Sequence, residues 1–257
     1  MEANKISKAA IIAGKIILEN GGETYRVEET IEKICTALGA INSDSFVTPT
    51  GIMLSVTDEN GNIISTVKRI NSRGVNLTKI AQVNELSRNI KMRQLSVEDV
   101  IRELGVIEQS RGYGRRTLIL TSAMTAGFFT LLFGGNFSDF LVSLFIGSII
   151  KWVSLMFSKI KVNDFFINIV GGAIAATIAL TAVHLNIAQN VDKIIIGSIM
   201  LLVPGLAITN AVRDIIHGDL VSGISRGLEA FFIAVGIAAG TGIILKLWLV
   251  YFGGTSI

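Results

Sequence analysis

The sequence predicts an α-helical polytopic membrane protein of about five transmembrane helices, carrying an N-terminal cytoplasmic α+β domain. Three observations lead there. Charged residues make up only 17% of the chain, against roughly 25% in ordinary soluble domains, and mean hydropathy is +0.60. The charge is also unevenly shared, since residues 1–116 hold sixteen of the 23 Lys/Arg and fourteen of the 20 Asp/Glu. From Thr117 onward, five apolar runs approach the ~20 residues that cross a bilayer. Two solvents are implied, with domains at 1–112 and 113–257.

In the first domain Ile6, Ala10, Ala13 and Ile17 recur at helical spacing, and "NGG" at 20–22 supplies the stop. "ETYRVEETIEKICTALG" follows as a second helix with Val27, Ile31, Ile34 and Leu38 along one side. "SFVTPTGIMLSV" (45–56) and "NIISTVKRI" (62–70) alternate as strands, and "TDENG" forms a hairpin turn between them. "NLTKIAQVNELSRNIKMRQ" (76–94) returns to helical spacing, and Ser96 with Asp99 opens a further helix as a capping box. The basic, partly apolar N-terminus is no signal peptide, because Lys15 and Glu19 interrupt its apolar run.

The expected spans are 117–135, 139–158, 165–184, 193–212 and 229–252. Arg111, Arg115 and Arg116 precede the first, Lys159 and Lys161 follow the second, and Arg213 and Arg226 separate the fourth from the fifth. Cytoplasmic loops carry the excess of cations. The N-terminus is therefore placed in the cytoplasm, the tail "GGTSI" outside, and the protein in the inner (plasma) membrane. Basic residues interspersed with acids exclude a nucleic-acid stripe. Cys35 is the only cysteine, so there is neither an intrachain disulfide nor a cysteine metal site. No cofactor is expected. Both histidines, His184 and His217, lie in the membrane half, so the N-terminal domain holds no nucleophile–histidine arrangement and no enzyme is expected.

Stripes of small residues mark helix faces that meet protein. The second span has Ser143, Gly147, Lys151, Ser154 and Ser158; the third has Asn168, Gly172, Ala175, Ala179 and Ala182; the fifth has Glu229, Gly236 and Gly240. Lys151 admits two readings: its ammonium snorkels to the inner interface, or it faces a polar cavity in the bundle. Lys246, beside Trp248 and Tyr251, reads as an interfacial anchor.

The stretch "PGLAITNAVRDIIHGDLVSGISRGLEA" (204–230) breaks the apolar pattern. Pro204 removes an amide hydrogen and Gly205 adds freedom, so the fourth span is kinked or broken there. Such a break is either a structural kink or the wall of a binding site. Asn210, Arg213 and Asp214 close the span, Asp219 lies in the connection, and Arg226 and Glu229, three apart, open the next helix. The connection is either a solvated loop or, given its glycines and apolar residues, a packed re-entrant or interfacial element. Upstream, Glu23, Thr24, Arg26, Glu28, Glu29 and Glu32 crowd one segment, where Arg26 reaches Glu29 or Glu23. Such surface pairs are worth well under ~1 kcal/mol.

Three segments, "GGETYRVEETI" (21–31), "FVTPTGIMLS" (46–55) and "VPGLAITNAVRDIIHGDLVSGISRGLEA" (203–230), give the chain its resemblance to the threonine/serine exporter (ThrE-type) family. The resemblance runs over nearly the whole chain. Full-length members have about ten spans, so a chain with five resembles one subunit of the split form. That implies a second small membrane subunit with the remaining spans and assembly into an oligomer. It also implies efflux of threonine/serine-type amino acids or succinate-type dicarboxylates, driven by an ion gradient. On that footing Arg213 and Arg226 are candidates to hold a substrate carboxylate, Glu229, Asp214 or Asp219 to carry a proton, and Asn210 to orient substrate. The segment of Glu23, Thr24, Arg26 and Glu29 becomes a candidate docking motif, for the cytoplasmic mouth or for the partner.

Overall fold

The computed structural model describes residues 2–58, 60–160 and 162–253. Glu59 of the expected hairpin turn, Lys161 of the expected inner charge group and the tail after 253 lie outside the described residues. The elements run α1 (Glu2–Glu19), α2 (Thr24–Ala37), β1 (Asn42–Thr48), β2 (Gly51–Thr57), β3 (Ile63–Arg69), α3 (Leu77–Asn89), α4 (Val97–Gln109), α5 (Arg115–Leu132), α6 (Phe137–Lys159), α7 (Asp164–His184), α8 (Val191–Ile199), α9 (Gly205–Ile216) and α10 (Leu220–Phe252). They form two compact units: residues 1–112 with 205–228, and 113–204 with 229–257.

In the first unit α1 is buried along most of its length, with Ile6, Ile16, Ile17 and Leu18 packed against Ile31, Ile34, Ile52 and Leu54. It stops where Gly21 takes φ +92° and the Gly22 amide returns to the Ile17 carbonyl at 2.9 Å, a left-handed ending that glycine adopts without strain. The sheet is an antiparallel meander in the order β1-β2-β3, with Phe46 opposite Met53 and Met53 opposite Val67. The strand expected over 45–56 is two strands. Pro49 and Thr50 turn the chain so that Thr48 pairs with Gly51, because a proline has no amide to give a ladder. The next turn is built on Asp58, whose carboxylate accepts the amides of Asn60 and Asn62 at 2.9 Å each. The helix expected over 76–94 ends at Asn89, and the capping box forms on α4 as read.

Three helices, α6 and α7 of the second unit and α10, which belongs to it from Glu229 onward, are long and apolar enough to cross a membrane. They fall where the second, third and fifth spans were expected. The other two expected spans differ. The first is α5, which is 18 residues long and opens on Arg115 and Arg116. The fourth is not one helix: α8 ends at Ile199 and α9 begins at Gly205. Nine residues of α8 rise only about 14 Å, short of the ~30 Å hydrocarbon slab.

The glycines of the small-residue stripes are contact points, whereas Ser158 at the end of the α6 stripe is exposed. A Cβ on Gly147 would lie 2.8 Å from the Ser122 carbonyl oxygen and the Ala126 methyl of α5. A Cβ on Gly172 would lie 2.6 Å from the Ile237 carbonyl of α10, while Gly236 and Gly240 of α10 meet Phe165 and Ile169 of α7. At the start of α6 the buried Asp139 accepts the amides of Gln189 and Asn190 at 2.9 and 3.2 Å, and the side chain of Asn190 at 2.7 Å.

Candidate functional site

The site lies wholly within the first unit, where the α9–α10 turn packs on the junction of α1 and α2. Ending α1 on two glycines leaves two carbonyls facing outward. Gly21 O accepts Asn210 Nδ2 at 2.9 Å, and Gly22 O accepts Arg226 Nη2 at 2.8 Å. α2 then starts at Thr24 with Glu23 at its N-cap position, whose side chain makes no capping bond. The first amides of a helix need acceptors, and its N-terminus favours negative charge. Asp214 of α9 meets both needs from 190 residues away, accepting the Thr24 amide at 3.1 Å and the Thr24 hydroxyl at 3.2 Å.

Asp214 is fully buried, and Arg226, only 6% exposed, stands with Nε 3.1 Å from its Oδ2. A buried carboxylate is tolerable on these terms: paired, and hydrogen-bonded on both oxygens. One helical turn before Asp214 on the chain, the Asn210 side chain is also buried, and its Oδ1 has no hydrogen-bond partner among the described residues. Gly223 lets α10 close on α9, since a Cβ there would sit 2.9 Å from the Ala211 carbonyl.

Around this core lies a second ring of contacts. Glu23 binds Arg213 and, at 3.0 Å, Arg26. Burial pushes the Glu23 carboxyl up, but its own backbone amide and the two guanidiniums outweigh that and hold it below the usual range. The Tyr25 ring stacks on His217 with centroids 4.1 Å apart and planes 1° from parallel. Glu28, one turn beyond Thr24 on the same face of α2, accepts the outward amide of Val47 at 2.9 Å, and Ser222 covers the Val47 carbonyl at 3.4 Å. At Val47 the outward amide and carbonyl of the β1 edge are thereby satisfied. Burial, then the charges of Asp219 and Asp214, push the Glu28 carboxyl up despite the Val47 amide. Burial and Asp214 likewise push Asp219 up, against His217.

The structure thus brings together Glu23, Thr24, Arg26, Asn210, Arg213, Asp214, Asp219 and Arg226. Glu29 turns to the exposed side of α2 and pairs with Lys33. Gly205 opens α9 directly after Pro204. Lys151 on α6 and Glu229 on α10 belong to the second unit. Five participants escaped the sequence reading: the Gly21 and Gly22 carbonyls, Tyr25, His217 and Ser222, along with the role of Glu28. Glu28 left a trace in its four-residue spacing from Thr24, and Gly21 and Gly22 were legible as the stop of α1 but not as acceptors. The connection read as loop or packed element is packed. The segments 21–31, 46–55 and 203–230, far apart in the chain, meet here through Thr24, Val47 and Asp214.

Over residues 8–248 the chain matches the protein family described as "Putative threonine/serine exporter". It is 22% identical over 248 residues to a protein of Klebsiella aerogenes named "Probable succinate transporter subunit YjjP", covering 96% of this chain and 95% of the relative. A protein of the same name from Escherichia coli K12 is 22% identical over 244 residues, covering 95% and 94%. The "Threonine/serine exporter" of Corynebacterium glutamicum is 26% identical over 241 residues, which cover 91% of this chain and 49% of that protein. No solved structure matches.

Proposed function

The chain belongs to the threonine/serine exporter family, and on that premise we propose that it is one subunit of a secondary-active exporter of small hydrophilic metabolites. The substrates are threonine/serine-type amino acids or succinate-type dicarboxylates, and the chain is not an enzyme. The matched exporter of Corynebacterium glutamicum is about twice the aligned length, which supports a second membrane subunit supplying the remaining spans here. The observation that carries the reading is the convergence of three distant motifs on one site, with the buried Asp214–Arg226 pair bound to Thr24 and Gly22 and with Val47 bound to Glu28 and Ser222.

In the conformation described, the guanidiniums of Arg213 and Arg226 hold protein carboxylates, those of Glu23 and Asp214. A substrate carboxylate is the natural competitor for the same charge-assisted bonds. Exchange of one for the other loosens α9 and α10 from α2 and couples substrate arrival to movement of the hairpin. Asn210 Oδ1, buried with no hydrogen-bond partner among the described residues, accepts a substrate amine or hydroxyl. Asp214, Asp219 and Glu229 are the proton-carrying candidates, and Lys151 and Glu229 line the passage in the membrane unit. The five membrane segments are α6, α7 and α10 as full crossings, α5 with its arginines at the cytoplasmic end, and α8 continued by the non-helical residues to Pro204 as a shortened fourth crossing.

The test is metabolite release from cells expressing this chain alone, a short membrane protein carrying the remaining four or five spans, both, or neither. Release is expected from the pair alone, and Arg213→Ala and Arg226→Ala should each reduce it at least tenfold with the protein still inserted. Wild-type release by both variants would end the site assignment. Release by the short protein alone would end the transport role of this chain.

A further inference from the structure

A cavity of about 360 Å³ opens in the first unit between α1, β3 and the end of α4. The inner face of the sheet turns polar there. On β2 the residues facing α1 are Ile52, Leu54 and Val56, all buried, and their partners on β3 are Lys68, Thr66 and Ile64. Strand alternation puts Lys68 and Thr66 on that same inward face. On α1, Lys8, Ile11, Ile12 and Lys15 recur at three- and four-residue intervals and line the cavity from the other side. Beside them Ser7 is only 1% exposed, and its hydroxyl meets that of Thr66 at 2.9 Å.

Three ammoniums line this cavity against one carboxylate, that of Glu108. Glu108 is already held, with Oε1 2.6 Å from Lys15 Nζ and its main-chain carbonyl accepting Lys79 Nζ at 2.7 Å. Lys8 and Lys68 have no hydrogen-bond or ion-pair partner among the described residues. The Ser7–Thr66 pair makes one bond from two hydroxyl hydrogens, so one hydrogen stays free to donate. The uncommitted lysines and hydroxyl are all donors, which calls for an anion. The volume lies at the lower end of the ~300–1,000 Å³ range of small-molecule sites, which fits a small metabolite and not a nucleotide or peptide. We propose that the cavity binds a short dicarboxylate, one carboxylate on Lys8 and the other on Lys68, with its methylenes against Ile11 and Ile12. Inorganic phosphate gathers its charge at one centre and leaves the isoleucines uncovered. A zwitterionic amino acid brings an ammonium among the lysines, where like charges repel. None of these residues takes part in the Asp214–Arg226 site, so the proposal stands or falls apart from the export reading.

The experiment is calorimetric titration of the full-length chain in lipid nanodiscs with succinate, inorganic phosphate and threonine. Succinate should bind, and phosphate and threonine should bind about tenfold more weakly or not at all. Lys8→Gln with Lys68→Gln should weaken succinate by about tenfold or more without lowering the unfolding midpoint, since both side chains are exposed. Glu108→Gln removes the lining carboxylate and releases Lys15, so it should tighten succinate by about threefold or more, a gain that damage to the fold does not produce. Phosphate binding as tight as succinate would make the cavity a general cation patch and overturn the proposal. So would no succinate binding by the wild-type chain, or unchanged affinity in Glu108→Gln. Binding that survives in the double lysine variant but is lost in Arg213→Ala would place the dicarboxylate at the Asp214–Arg226 site, overturning this proposal while sparing the export reading.

Discussion

Asp214 acts as a helix cap supplied from another part of the chain, and its energetics follow from burial. Its two oxygens satisfy the Thr24 amide and hydroxyl while Arg226 neutralises its charge. Removing one member of a buried pair strands the other, at a cost of roughly 3–5 kcal/mol, whereas replacing both is often far milder. Asp214→Asn keeps the acceptor for Thr24 but leaves the Arg226 guanidinium uncompensated. It should lower stability by about that amount in denaturant unfolding of the detergent-solubilised chain, and adding Arg226→Met should restore at least half the loss. Glu28 behaves differently, because its carboxyl is raised by burial and by Asp219 and Asp214. A group that binds its proton more tightly when folded makes stability fall as pH rises from 4.5, the ordinary value, through its raised value. Glu23, held below the ordinary range, contributes stability above 4.5 that is lost as pH falls through its depressed value. Glu28→Gln retains an acceptor for the Val47 amide, so it should raise the unfolding midpoint at pH 7 and leave it unchanged at pH 4. Equal shifts at both values would mean that Glu28 acts through packing alone.

At the level of elements, the interface of α7 with α10 is made by absent side chains. Gly172 lies under the Ile237 carbonyl, and Gly236 and Gly240 lie over Phe165 and Ile169, so the two backbones approach more closely than any Cβ permits. Overpacking such a contact costs roughly 1–3 kcal/mol. Gly240→Ala should be destabilising by about that much, while Gly242→Ala, where a Cβ meets nothing within 4 Å, should not lower the unfolding midpoint and should raise it slightly, since alanine favours the helix. These stripes were legible in the sequence because helix packing in lipid selects small residues at fixed intervals. The capping box of α4 was legible for the same kind of local reason. The split between β1 and β2 was misread because alternation continues across Pro49, and only the missing amide of that residue marks the turn. Pro204 announced a break in the fourth span, but it could not announce that α9 beyond it folds onto the N-terminal domain. That outcome depends on Asp214 finding Thr24, which no local rule encodes.

For the whole molecule, the charged cluster around 204–230 was visible as an anomaly, but its meaning was not. Short-range spacing offered Arg226 the company of Glu229, but it gave no sign of the contact that joins Arg226 to Asp214, and both to residues near position 22. Side-chain pairs across a hundred or more residues leave no periodic trace in one sequence. The membrane orientation is a different matter, because it rests on cation placement summed over loops. Asp139 ties the start of α6 to the α7–α8 turn at Gln189 and Asn190, so the opposite end of α6, at Lys159 and Ile160, belongs to the other side of the bilayer. Lys159 sits at that end and Arg115 and Arg116 open α5, so the orientation we propose, from the excess of cations on cytoplasmic loops, puts this end in the cytoplasm. Ile187 and Ile160 are both exposed, at 58% and 70%, so each can carry a reporter cysteine. In intact cells Ile187→Cys should react with a membrane-impermeant maleimide and Ile160→Cys only after the membrane is opened. The reverse pattern would turn the protein over, put the α+β domain outside, and leave the Arg213–Glu23 and Arg226–Asp214 pairs facing a compartment from which no exported metabolite arrives.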